Sequence, residues 1–213
     1  MKKLKSFLNN KKKFLLKTLV LLLELLAYGL IIYLVALPFY PTVKYEVIDK
    51  RGNNFAAQDE ERVKEQTAEI MNRLPQAEYA VSPNRLIITK IGVNAPIVES
   101  QSAKYGLSKG VWHLPESSTP DKGGNTVITG HRFKYLPPHN MTFYLFHKLE
   151  VGDLVSVIWH EKDYLYRIRE IKIVDKTDLS ILKPTSEPIL TLFTCHPIYS
   201  TENRLVVIAG LIE

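Results

Sequence analysis

The 213-residue sequence has a single cysteine, so a disulfide-stapled framework is excluded. It has no internal repeat and no low-complexity stretch. Hydrophobic residues make up 46% and charged residues 23%, close to the ~25% charged of ordinary globular proteins, which excludes a wholly disordered or collagen-like chain. Acidic residues are nearly missing from the first 40 positions, where Glu24 stands alone against Lys2, Lys3, Lys5, Lys11, Lys12, Lys13 and Lys17. The other 173 residues carry 21 basic and 21 acidic side chains. The net charge of +6 therefore belongs entirely to the amino end, and it describes no nucleic-acid-binding face on the folded part.

Only one long apolar run is present, TLVLLLELLAYGLIIYLVAL from Thr18 to Leu37. These 20 residues match the ~20 that a helix needs to cross a hydrocarbon core ~30 Å thick. Lysine-rich flanks stay in the cytoplasm, so the expected orientation is N-terminus inside and the rest outside. A cleaved signal peptide fits less well, since its apolar region spans ~7–15 residues and ends at small residues, not at Leu-Pro-Phe-Tyr-Pro. Glu24 interrupts the run, where a charge is costly. The expected layout is a basic cytoplasmic tail (1–17), a transmembrane signal anchor (18–38), an extracellular linker with a short amphipathic helix (39–82) and a separate folded domain (83–213).

The amphipathic helix is predicted over 59–74, where Val63, Thr67, Ile70, Met71 and Leu74 recur at three- and four-residue steps, with acids in its first turn. Beyond Pro83 the texture changes to short apolar runs divided by Gly, Pro, Asn and Asp. Strands are predicted at 85–91, 95–99, 125–130, 154–160, 164–174, 189–195 and 204–211. Several short strands with turn residues between them point to a closed β-barrel or a sandwich. Most gaps are too short for a helix of a dozen residues, which argues against a doubly wound α/β fold.

Cys195 ends one of these strands, and Arg204 opens the next after an eight-residue loop. In one antiparallel register Cys195 faces Arg204, Phe193 faces Val206 and Thr191 faces Ile208. Directly opposed residues have Cβ atoms ~4.5–5.5 Å apart. A guanidinium that close favours the thiolate, the nucleophilic form of cysteine, and can later stabilise a tetrahedral oxyanion. The competing reading is a small buried Cys195 and an ordinary surface Arg204. A cysteine nucleophile also needs a proton partner, normally histidine. Of His113, His131, His139, His147, His160 and His196, spacing favours His131, which closes a strand after Gly130; His113 comes next, and spacing alone leaves the choice open.

The run TLFTC (191–195), Arg204 nine residues beyond it and TGHR (129–132) upstream resemble the sortases, membrane-anchored cysteine transpeptidases of mainly Gram-positive bacteria. IGVNAPIV (91–98), the approach to His131 (110–132) and VGDLVSV (151–157) extend the resemblance over about Leu86 to Glu213. It implies a mainly β fold, a closed eight-stranded barrel with short helices behind the N-terminal transmembrane helix. It also implies Cys195 as nucleophile, His131 as general acid and base, Arg204 on the oxyanion and peptide, and Thr194 as a substrate-binding residue. The implied reaction cleaves an LPxTG-like sorting signal between Thr and Gly and transfers the protein to an amine of the cell wall or a pilin. The partners expected are therefore secreted proteins bearing that signal, a cell-wall amine and the membrane, with no nucleic acid.

The wording TLFTCHP is closest to class E and class D members, some of which prefer LAxTG or LPNTA, so the second signal residue stays open. Residues 41–82 lack the Asp-Pro-aromatic lid motif of pilus-building members, which points to a general-anchoring enzyme. No cofactor is expected. The segment 175–188 holds only Asp175, Asp178 and Glu187 beside Lys176 and Lys183, which suits a specificity loop better than a calcium site. An L,D-transpeptidase is the enzymatic alternative, although its Ser-x-Gly-Cys-(Ile/Val)-Arg run is missing. An anchored, non-catalytic β-barrel is the other.

Overall fold

A computed structural model describes residues 2–49, 60–75, 83–134 and 140–212. His139 and residues 50–59 and 76–82 of the expected linker lie outside the described residues. The chain forms two compact units, 1–40 and 41–213. The first is dominated by a helix from Lys2 to Ala36, long and apolar enough by length and composition to cross a membrane. Its large apolar side chains from Phe14 to Val35 are exposed rather than packed against protein, as suits a helix solvated by lipid.

The second unit is a closed barrel of eight strands: β1 (Arg85–Ile88), β2 (Val93–Glu99), β3 (Val111–His113), β4 (Asn125–Thr129), β5 (Leu154–Trp159), β6 (Lys162–Asp175), β7 (Ile189–His196) and β8 (Asn203–Leu211). Their order around the barrel is β1-β2-β3-β4-β7-β8-β6-β5. Closure leaves no unpaired edge for another chain to template on. Two pairings are parallel, β2 with β3 and β4 with β7. Period-two alternation sorts the side chains. Ile128, Leu190, Leu192, Leu205, Val207 and Ala209 join one core with Leu86, Val155, Trp159 and Phe143. The β5–β6 hairpin turns at His160 and Glu161, both with positive φ (48° and 67°), the conformation of a two-residue primed turn.

Two segments differ from the sequence expectation. Residues 89–91 were expected to continue a strand. They form a 3₁₀ turn instead, because Gly92 takes a left-handed φ of 66° and reverses the chain into β2. The strand Val111–His113 and the helix Ala103–Lys109, capped by the Ser102 hydroxyl, were not anticipated. Where a strand was read from 95, β2 already begins at Val93.

The amphipathic helix spans Glu60–Asn72. Its buried Val63 packs with Leu154 of β5 and Leu165 of β6, and Glu60 pairs with Arg167 at 2.6 Å. The stretch before it is also docked on the barrel. Tyr45 belongs to the core cluster, Glu46 pairs with Lys148 at 2.5 Å, and the Lys148 ammonium lies 5.4 Å from the centre of the Tyr45 ring.

A buried lysine ties the turn after β1 to the residues before β5. Lys90 is 2% exposed and donates to Glu150 at 2.8 Å and to both oxygens of Asp153 at 3.0 and 2.9 Å. Burial alone would lower the Lys90 pKa, but its hydrogen bonds and charge contacts with Glu150 and Asp153 prevail and hold it above the ordinary value.

Candidate active site

Three strand ends meet at one rim of the barrel. β4 and β7 run parallel, with Asn125 opposite Ile189 and Thr129 opposite Phe193, so their C-terminal ends lie side by side. β8 runs antiparallel to β7, which brings its N-terminal end to the same rim. The register is Cys195↔Arg204, Phe193↔Val206 and Thr191↔Ile208, the one read from the loop between them. One step past Thr129↔Phe193, the amide of Gly130 bonds the Phe193 carbonyl, and the next residue is His131.

Alternation then places Cys195 and Arg204 on one face. Leu190 and Leu192 of β7, and Leu205 and Val207 of β8, point into the core, so Cys195 and Arg204 share the opposite face. On β4, Ile128 points in, and His131 follows two residues past the end of the strand. Cys195, His131 and Arg204 are all partly buried. Cys195 and Arg204 thus stand opposite each other on neighbouring strands, and the turn after β4 carries His131 to the same rim.

Their surroundings fix them further. Gly130 admits no side chain cheaply, since an added Cβ would lie 3.1 Å from the Phe143 ring and from Val111. The His131 carbonyl accepts from the Phe143 amide at 2.8 Å, which holds the chain where it leaves β4. Burial, and then the charge of Lys134, keeps the His131 imidazole below its ordinary pKa, so its neutral form is favoured near pH 7. Arg204 donates through Nη1 to the carbonyls of Thr201 (3.1 Å) and Asn203 (2.9 Å). Its Nε and Nη2 make no bond among the described residues.

Thr194, expected in substrate binding, is 1% exposed, and its hydroxyl donates to the Gly130 carbonyl at 2.8 Å. The hydroxyl therefore ties β7 to the turn that carries His131. The outer face of β4 and β7 is walled by the loop between β6 and β7: Asn125 donates to the carbonyls of Ile181 (3.1 Å) and Lys183 (3.0 Å) while accepting from Thr191 at 2.7 Å. In that loop Asp175 accepts from the Thr177 amide and hydroxyl, Asp178 caps Ser180, and Glu187 pairs with Arg169. Beside the rim, Phe133 meets the exposed Tyr199 edge-on at 4.8 Å.

The other histidines have separate places. His113 is buried in β3, its Nε2 bound to the Ser118 carbonyl (2.9 Å) and the Ser117 hydroxyl (3.1 Å), its ring 5.3 Å from that of Trp159. His160 is exposed in its turn. His147 receives a hydrogen bond from Arg132 at 3.0 Å. His196 ends β7 with a buried Nδ1 that has no partner among the described residues. Arg132 is the residue that sequence reasoning passed over: it is 3% exposed, and its Nε and Nη1 are buried without partners among the described residues.

Comparison with known proteins agrees with this architecture. Sortase D of Bacillus subtilis is 38% identical over 113 residues, covering 53% of either chain. Sortase SrtE1 of Streptomyces coelicolor is 31% identical over 143 residues, covering 60% of this chain and 40% of the relative. The chain thus spans about half the length of these curated relatives, whose names are consistent with the class E and class D wording of TLFTCHP. Among solved structures, sortase C1 of Streptococcus agalactiae superimposes with a TM-score of 0.55 at 28% identity, over 62% of this chain and 68% of that one. A family model described as Sortase domain matches residues 86–212, which covers all eight strands but the first residue of β1. The chain belongs to the sortase family.

Proposed function

We propose that the protein is a cysteine transpeptidase that cleaves an LPxTG-like sorting signal between Thr and Gly and transfers the new carboxyl end to an amine of the cell wall or a pilin. The observation that carries this reading is the convergence of Cys195, Arg204 and the His131 turn at one rim. The Cys195 thiol gives its proton to His131 and attacks the threonine carbonyl carbon as the thiolate, and the oxyanion that forms is held by the Arg204 guanidinium. His131 gives a proton to the glycine nitrogen as the C–N bond breaks, leaving a thioester on Cys195. The acceptor amine then attacks that thioester, His131 takes its proton, and the C–S bond breaks to restore the thiolate. Every proton and electron pair comes from Cys195, His131 and the two substrates, so the sequence of steps calls for no cofactor. Thr194 supports it through its bond to Gly130.

The test is incubation of the full chain with LPxTG, LAxTG and LPNTA peptides and an excess of a small amine. Mass spectrometry should find a product with the amine joined to threonine. Hydrolysis or ligation that survives Cys195→Ala would refute the assignment.

The Lys2–Ala36 helix anchors the domain with the lysine-rich end in the cytoplasm and the barrel outside. On intact wall-stripped cells, added protease should remove a tag placed after Glu213 and spare one placed before Lys2. Protection of the C-terminal tag would reverse the orientation.

A further inference from the structure

Asn125, the first residue of β4, is 4% exposed and spends its whole side chain on the outer face of the barrel. Its amide nitrogen donates to the carbonyl of Ile181, within the 3₁₀ turn Leu179–Leu182, and to that of Lys183, which caps the turn. Its oxygen accepts from the Thr191 hydroxyl of β7. The reversed amide would set an oxygen against two carbonyls, so the network permits one orientation only. Among the described residues, no other hydrogen bond joins the backbone of 181–183 to a strand. Gly124 works to the same end. Its φ is 74°, its carbonyl accepts from the Ile189 amide at 2.9 Å, and an added Cβ would lie 3.2 Å from the Thr185 carbonyl. The rest of the β6–β7 loop has little to hold it. Residues 183–187 are exposed, Leu179 is 69% exposed, and the Glu187–Arg169 pair lies at the surface, where such pairs contribute little.

The place of this loop bears on the nucleophile through β7. Thr191, Phe193 and Cys195 alternate onto the same outer face. Thr191, bonded to Asn125, is 1% exposed, whereas Phe193 and Cys195 are partly open. The face is therefore covered at Thr191 and opens toward Cys195. At ~3.3 Å per residue of strand, the two positions are ~13 Å apart, the reach of about four residues of extended peptide. A peptide extended along this face with its reacting carbonyl at Cys195 meets the 181–183 backbone several residues from the bond that breaks. From these observations we infer that Asn125 is a positioning residue for the acyl-donor peptide: it fixes the 181–183 backbone as the wall against which the remote end of that peptide lies. Asn125 touches no reacting atom, and its effect passes through the loop. A contact so far from the scissile bond is the same in the bound peptide and in the transition state, so it acts on KM and leaves kcat alone.

The inference deepens the sorting-signal reading and rests on it. The test is steady-state kinetics of the full chain in detergent micelles with the LPxTG, LAxTG and LPNTA peptides and an excess of a small amine. Asn125→Asp keeps the volume and the acceptor for Thr191 but loses both donors to the loop. It should raise KM by about tenfold and leave kcat within about twofold. Thr191→Val leaves the donors but no longer orients the amide, and should raise KM in the same direction by less. A purely structural Asn125 would instead lower the melting temperature, the fraction of Cys195 titrated by iodoacetamide and kcat with it, at constant KM. An unchanged KM in folded Asn125→Asp overturns the inference alone; if that variant does not fold, an unchanged KM in Thr191→Val does so. Processing of none of the three peptides by the parent would remove the sorting-signal reading, and the inference with it.

Discussion

Cys195→Ala yields no covalent adduct with any sorting peptide and no turnover, and His131→Ala lowers kcat/KM by ~10²–10⁴-fold, the usual worth of general acid–base catalysis. The two losses have different origins and separate experimentally. Without Cys195 there is no sulfur to form the thioester. Without His131 the thiol persists and still reacts with small alkylating reagents, but the leaving glycine nitrogen departs as a poor, unprotonated group. The low pKa of His131 adds a pH signature. Because its folded value lies below the ordinary one, the neutral imidazole extends to more acidic pH than a free histidine would allow. Its protonation should therefore appear in the kcat/KM profile below about 6.5, the unperturbed histidine value. His113→Ala and His196→Ala should stay within about tenfold of the parent, less than any catalytic loss of this kind. His113 is committed to Ser117 and Ser118, and its loss should show in stability instead. If His113 or His196 proved indispensable for acylation while His131 did not, the assignment of the base would fall.

Arg204→Lys retains a positive charge and should still lose ~10²–10³-fold in kcat, the cost of one missing oxyanion donor. Geometry explains why charge alone is not enough. Arg204 spends Nη1 on the carbonyls of Thr201 and Asn203, which fixes the plane of the guanidinium opposite Cys195. Its Nε and Nη2 are then left as a rigid pair for an oxyanion and a peptide carbonyl. A lysine ammonium has no such fork and cannot meet the loop carbonyls and the substrate in one arrangement. Peptide affinity should change little, since the interaction strengthens as the oxyanion develops. Single-turnover acylation rates with circular dichroism of the barrel check this. Near-normal acylation by Arg204→Lys would mean that field strength, and not donor geometry, sets the role of Arg204.

The parts of this site that were legible in the sequence are the local ones. Cys195 and Arg204 are joined by one short loop, so a single antiparallel register and period-two alternation fixed their encounter. The helix Glu60–Asn72 declared itself through its apolar spacing and acidic first turn. The pairing of β4 with β7 is another matter. It is parallel, and it joins positions 64 residues apart, such as Thr129 and Phe193. Alternation along either strand says nothing about which distant strand lies beside it; the resemblance carried by TLFTC and TGHR supplied what periodicity lacked. Val111–His113 is only three residues long and sits between Gly110 and Leu114-Pro115, too short for any period to register. Tyr45 looked like linker because one aromatic residue in a polar stretch has no pattern, yet it reaches the core. Thr194 was read for its place beside the nucleophile, and that its hydroxyl holds Gly130, 64 residues away, had no local signal. Arg132 gave no warning at all, since a burial without a countercharge is a property of the assembled barrel.

The central claim is that Cys195 carries the substrate's acyl group between two substrates. Intact-protein mass spectrometry of the full chain, quenched with acid shortly after mixing with an LPxTG-type peptide and no amine, tests it most directly. The account predicts a mass gain equal to the peptide up to its threonine, mapped to Cys195, labile to hydroxylamine and discharged on adding an amine. A protein that cleaves the peptide at the same bond with no adduct on Cys195, or an adduct that an amine cannot discharge, would contradict it.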